Sequence, residues 1–136
     1  MSLLRFFIEN RSEAMQLVLQ HLLLVVVATG AATIIGVPIG ILLTRRPALS
    51  KPVLATANIL QTIPSLALFG FLIPIPLIGG IGPRTVIVSL VLYALLPILR
   101  NTFVGILGVE AAVCESAVAM GMTDSQLLRQ VQLPLA

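Results

Sequence analysis

Charge is what this sequence has least of: Asp, Glu, Lys and Arg make up 10% of its 136 residues, where a soluble domain carries about 25%. No charged residue falls between Leu22 and Leu43 or between Pro52 and Pro83. A water-soluble fold needs polar side chains over its surface, so uncharged runs of that length exclude an ordinary soluble domain. A single cysteine, Cys114, excludes an internal disulfide, and a single histidine, His21, offers no basis for a metal site. The net charge of +3 comes from few residues, so the basic balance reflects scarce acids and not a nucleic-acid surface. Lys51 is the only lysine, and it follows Ser50 in a proline-flanked stretch. A glycine-rich phosphate loop ending in Lys-Ser or Lys-Thr is therefore lacking, and catalytic nucleotide chemistry of that type is excluded.

What is present is apolar residue, at 58% of the chain. A helix needs about 20 residues to cross the hydrocarbon of a bilayer. The fold class expected is all-α and polytopic, with three transmembrane helices at residues 21–44, 53–74 and 84–100, then a helix-turn-helix segment at 109–134. Residues 1–20 mix Arg5, Glu9, Arg11 and Glu13 with apolar side chains, which suits an amphipathic helix lying on the membrane surface. Thr44 to Lys51 reads as a loop. Gly36 and Gly40 in span one have the small-xxx-small spacing that lets a neighbouring helix come close. Pro64 falls in the middle of span two, where it bends a helix and frees backbone groups that Thr62 and Ser65 can satisfy. The bend would aim Gln61, Thr62, Pro64 and Ser65 at a helix interface or a translocation path. Arg84 and Arg100 read as the boundaries of span three. Phe69 and Tyr93 read as packing residues.

Orientation follows from the positive-inside rule, since Arg45, Arg46 and Lys51 crowd the first loop while the second holds only Arg84. The first loop is then cytoplasmic, the amino terminus and the Gly79 to Pro83 turn lie outside, and the carboxy-terminal third returns to the cytoplasm.

That third differs from the rest. Residues 110–120 read as one helix, Gly121 suits the left-handed position that ends it, and Thr123 with Gln126 makes a capping box for a second helix that Pro134 stops. The result is a compact knuckle able to pass motion from a partner to the spans. Glu115, Ala117, Gly121, Val131, Leu133 and Pro134 stand in the spacing that resembles the cytoplasmic coupling motif of ABC importer permeases: E-A-A, three residues, G, nine residues, I-x-L-P. The chain departs from it at Ser116, at Val118, where a basic residue is common, and at Val131. Ile35 to Pro47, Leu60 to Pro74 and Val91 to Ile106 further resemble the osmoprotectant branch of this group, whose substrates are glycine betaine, carnitine and choline. Methionine importers share the architecture.

The resemblance implies a permease subunit of the cell inner membrane with no catalytic residue of its own. It also implies a separate ABC ATPase that binds ATP and grips the knuckle, an extracytoplasmic binding protein, and a second permease subunit. A quaternary ammonium ion is best held by an aromatic cage. With no tryptophan and one tyrosine the chain shows none, so high-affinity selection is expected in the binding protein. The resembling permeases continue beyond the coupling proline, so the chain is expected to be part of a longer protein. A small channel or membrane scaffold is the reading from another class, and neither needs the knuckle.

Overall fold

In the computed structural model, which describes residues 10–136, every regular element is helical. The order is α1 (Arg11–Arg45), α2 (Pro47–Gln61), α3 (Ser65–Leu72), α4 (Pro83–Gly108) and α5 (Ala111–Ala119). A last helical stretch follows: α6 (Asp124–Gln126), a π segment (Leu127–Gln132) and α7 (Leu133–Leu135). α1 and α4 are each long and apolar enough to cross a membrane. α2, with 15 residues, and α3, with 8, are each too short to span and qualify as a third span only together, bent by 97° at the break.

α1 and α4 form the principal helix pair. In lipid the tails are as apolar as leucine, so helices associate through close packing and hydrogen bonds in place of hydrophobic burial. The sequence of α1 supplies the means, with Ala28, Ala32, Gly36, Gly40 and Leu43 buried along one stripe. Ala28 and Ala32 are 1% and 0% exposed. Gly36 faces Leu95 and Ile98, and Gly40 faces Leu99 and Thr102. Numbers rise together along both helices, so the pair is parallel. The small-xxx-small spacing thus does mark a helix contact. The opposite side of α1 leaves Leu19, Leu23, Val26 and Ile34 exposed, as a lipid-facing surface requires.

Several observed helix ends differ from the expected bounds. α1 is continuous through residues 20 and 21, since neither proline nor glycine interrupts Arg11 to Val27, and His21 lies within it. The surface helix expected over residues 1–20 falls partly on residues 1–9, outside the described residues; its remainder belongs to α1. The loop expected over Thr44 to Lys51 shrinks to Arg46, because Pro47 begins α2 at a first-turn position, where its missing N–H is harmless. α4 runs past Arg100 to Gly108, so Arg100 extends from the side of a helix and does not end it. Where spans were expected over 53–74 and 84–100, the helices run over 47–61, 65–72 and 83–108.

The uncharged turn between α3 and α4 is pinned by Thr85. This side chain is 1% exposed, and its hydroxyl donates to the carbonyls of Gly80 at 2.6 Å and Ile78 at 3.1 Å. Gly80, at φ +105°, has the left-handed backbone that glycine accepts without strain.

Candidate functional site

The knuckle is built by local signals. Glu110 is the residue before α5, and its carbonyl accepts from the backbone N–H groups of Val113 and Cys114. At the far end Gly121 takes φ +87°. Its N–H donates to Val118 O at 2.9 Å and that of Met122 to Ala117 O at 3.2 Å. This paired arrangement is the Schellman closure, which satisfies carbonyls that a helix end otherwise leaves bare. Thr123 then opens the second arm with a reciprocal capping box. Its N–H donates to Gln126 Oε1 at 2.8 Å, and Gln126 N–H donates to Thr123 Oγ1 at 3.4 Å.

Thr123→Ala is expected to lower stability by about 1 kcal/mol while Thr123→Ser leaves it nearly unchanged. Thermal unfolding in detergent measures both.

Pro134 does not stop the second arm at its own position; the helix passes through it to Leu135. The π segment just ahead widens the helix where an α turn would press the proline ring on the preceding carbonyl. Gln132 Nε2 lies 4.0 Å from Cys114 Sγ, linking the second arm to α5. Ala117, 2% exposed, sits between the arms. Ala117 and Val131 line an open groove of about 330 Å³ together with Val113, Met120 and Met122. Glu115, Leu133 and Pro134 lie outside that lining and are exposed. Gly121 contributes backbone only, for nothing stands within 4 Å of where its Cβ would be.

Among the described residues, one charged link joins the knuckle to the spans. Arg45, at the end of α1, places Nη1 3.4 Å from the Asp124 carboxylate. Its Nη2 also donates to the Asp124 carbonyl at 3.3 Å. Asp124 is 87% and Arg45 40% exposed, so water screens the ion pair and it contributes little stability. Its value is positional: it sets the knuckle at the same end as Arg45, Arg46 and Lys51.

The second candidate region is the break between α2 and α3. Thr62 hydroxyl donates to Ile59 O at 2.7 Å, a carbonyl that also accepts from the Thr62 N–H, while Leu60 O, which the missing Pro64 N–H would have served, accepts from Ile63 N–H at 3.2 Å. Pro64 is extended at ψ 138° and turns the chain into α3. A continuous helix would give the Ile63 carbonyl a donor four residues on. Here the Tyr93 hydroxyl, from α4, donates to it instead. Tyr93 is therefore more than the packing residue expected of it, and spacing along the sequence could not pair positions 30 apart. Phe69 is half-buried on α3. Beside the break lies an apolar cavity of about 120 Å³, lined by Gln61, Leu68, Leu92 and Tyr93 among others. Of the four expected path residues only Gln61 reaches this cavity; Thr62, Pro64 and Ser65 are exposed at its edge of the chain. Among the described residues no group of three or more His, Cys, Asp or Glu side chains could hold a metal ion.

Two helices long and apolar enough to cross a membrane, with a bent helix pair between them, mark a helical membrane protein. The chain belongs to the family of binding-protein-dependent transport system inner membrane components, whose profile matches residues 36–136. It is 47% identical over 131 residues to the glycine betaine/carnitine/choline transport system permease protein OpuCD of Bacillus subtilis (strain 168), covering 96% of this chain and 56% of that protein. The choline transport system permease protein OpuBD of the same organism is 46% identical, with 98% and 58% covered. The osmoprotectant import permease protein OsmW of Salmonella typhimurium is 44% identical, with 100% and 64% covered. The chain thus spans less than two thirds of the length of these curated relatives, all named as permease proteins and none as an enzyme.

Proposed function

We propose that this chain forms the membrane-spanning permease part of an ATP-driven importer for quaternary ammonium osmoprotectants such as glycine betaine, carnitine or choline. Residues 115–134 couple it to a separate ATPase, where ATP is bound and hydrolysed. The observation that carries this reading is the Arg45–Asp124 link. Positive residues gather on the cytoplasmic side, so the knuckle tied to Arg45 is cytoplasmic, within reach of an ATPase. On this assignment α1 and α4 both run inward, and α2 with α3 forms a single broken span returning outward. The amino terminus and the turn ahead of Pro83 face outside, where an extracytoplasmic binding protein delivers substrate. A second permease subunit completes the pathway.

Two features support transport over a fixed scaffold. Irregular backbone at membrane depth is tolerated where it is buried in protein or lines a cavity, and transporter substrate sites form at such broken helices. The knuckle, in turn, is a two-armed element with its own closure and cap, which suits transmission of movement.

The test is uptake by the permease assembled with its ATPase and binding protein in proteoliposomes, using labelled glycine betaine, carnitine, choline and methionine. ATP-dependent accumulation of at least one quaternary ammonium compound, without methionine, is expected. Methionine uptake alone would assign the amino-acid branch, and an ATP-independent leak with no retained ATPase would favour a channel and defeat the proposal.

A further inference from the structure

The geometry points to Tyr93 as a positioning residue for transport: its hydroxyl, donated to the Ile63 carbonyl, fixes the angle between the two halves of the broken span. The inference rests on the importer reading above and adds to it a residue that acts through the break. Tyr93 stands about 15 Å along α4 from Pro83, at about 1.5 Å per residue. If Pro83 marks the outer boundary, that is half of a hydrocarbon layer about 30 Å thick. The break is therefore at mid-depth, where no bulk water is available to satisfy a carbonyl.

The backbone around the break shows why one hydroxyl matters. Ile63 N–H donates to Leu60 O at 3.2 Å, and Leu68 N–H donates to Pro64 O at 3.0 Å. These bonds finish α2 and begin α3, but neither crosses from one helix to the other. Ile63 O lies between them, and its donor comes from a different helix. Tyr93 thus ties the break to α4, which α1 grips through Gly36 and Gly40. Its ring also walls the cavity beside Gln61. A change at the cytoplasmic ends of α1 and α4 can then reach Gln61 through a single hydrogen bond.

Tyr93→Phe keeps the ring and the cavity wall and removes only the donor. In the reconstituted importer the maximal uptake rate is expected to fall about five- to tenfold, the scale of one net hydrogen bond. The half-saturating concentration should stay unchanged, because the binding protein sets it, and ATP consumed per substrate should rise. Pro64→Ala supplies the second arm. It allows α2 and α3 to join, so Ala67 N–H can serve Ile63 O, and adding Tyr93→Phe should then lower the unfolding temperature no further. Full uptake and unchanged ATP cost in Tyr93→Phe, with the wild type transporting, overturns this inference alone. Equal destabilisation by Tyr93→Phe with and without Pro64 shows a packing role only and also overturns it. A wild-type importer that moves no substrate overturns the proposed function and takes this inference with it.

Discussion

Gly40→Leu is expected to prevent α1 and α4 from pairing, with loss of the folded protein from detergent extracts. A Cβ at Gly40 would lie 2.8 Å from Thr102 Cβ and 3.0 Å from the Leu99 carbonyl oxygen. Neither atom is the free end of a flexible side chain, so one helix must move away from the other. Even Gly40→Ala should be destabilising by about 1–3 kcal/mol, the range for overpacking a well-filled contact. Leucine adds three more carbons to the same clash. Gly30 is the control on the same helix, for nothing lies within 4 Å of its would-be Cβ. Gly30→Ala should leave stability unchanged or raise it by up to ~1 kcal/mol through better helix propensity. Gly36→Ala falls between them, because its neighbours are the Ile98 and Leu95 side chains, 3.0 and 3.3 Å away, which can shift. Thermal unfolding followed by size-exclusion chromatography ranks the three. Equal losses at Gly30 and Gly40 would refute the close-approach account.

Signals carried by a few neighbouring residues are legible in the sequence itself, and signals carried by tertiary contact are not. Gly121 and the Thr123–Gln126 pair act over three or four residues, so the turn between the knuckle's arms follows directly from them. The Gly36–Gly40 spacing announces a close neighbour, but not that the neighbour is α4 or that the two helices run parallel. Proline misleads when read only as a breaker: Pro47 begins α2, and Pro134 is accommodated behind a π segment. Arginine misleads in a similar way. Arg100 looks like a membrane boundary, yet the stem of a long cationic side chain can lie along a helix that continues, and nothing from Asn101 to Leu107 breaks it. Tyr93 is legible only as an aromatic residue in an apolar helix. Its hydrogen bond depends on where α2 stops, which a local pattern does not record.

On the importer reading proposed above, Gly121→Pro is expected to abolish both retention of the ATPase and uptake while leaving the α1–α4 pair intact. Proline holds φ near −65°, and Gly121 sits at +87°, so the substitution demands a different backbone. It also removes the N–H that donates to Val118 O at 2.9 Å. The Schellman closure then fails, α5 loses its end, and the second arm leaves the direction that places Asp124 against Arg45. Steric bulk plays no part, since the space around the would-be Cβ is open. A graded series separates conformation from size. Gly121→Asn should be mild, because asparagine visits left-handed backbone more readily than most residues. Gly121→Ala should be destabilising by about 1–2 kcal/mol, and Gly121→Val by more because it is β-branched. If the knuckle is the element through which ATP hydrolysis reaches the spans, co-purified ATPase and substrate uptake should fall together along that order, Asn, Ala, Val, Pro. The unfolding temperature of the spans should move much less, because the α1–α4 contact is made by Gly36 and Gly40, far along the chain from residue 121. A Gly121→Pro permease that still holds its ATPase and transports at the wild-type rate would show that the arms' mutual angle has no part in coupling, and would move the search for the coupling surface to the exposed Glu115, Leu133 and Pro134.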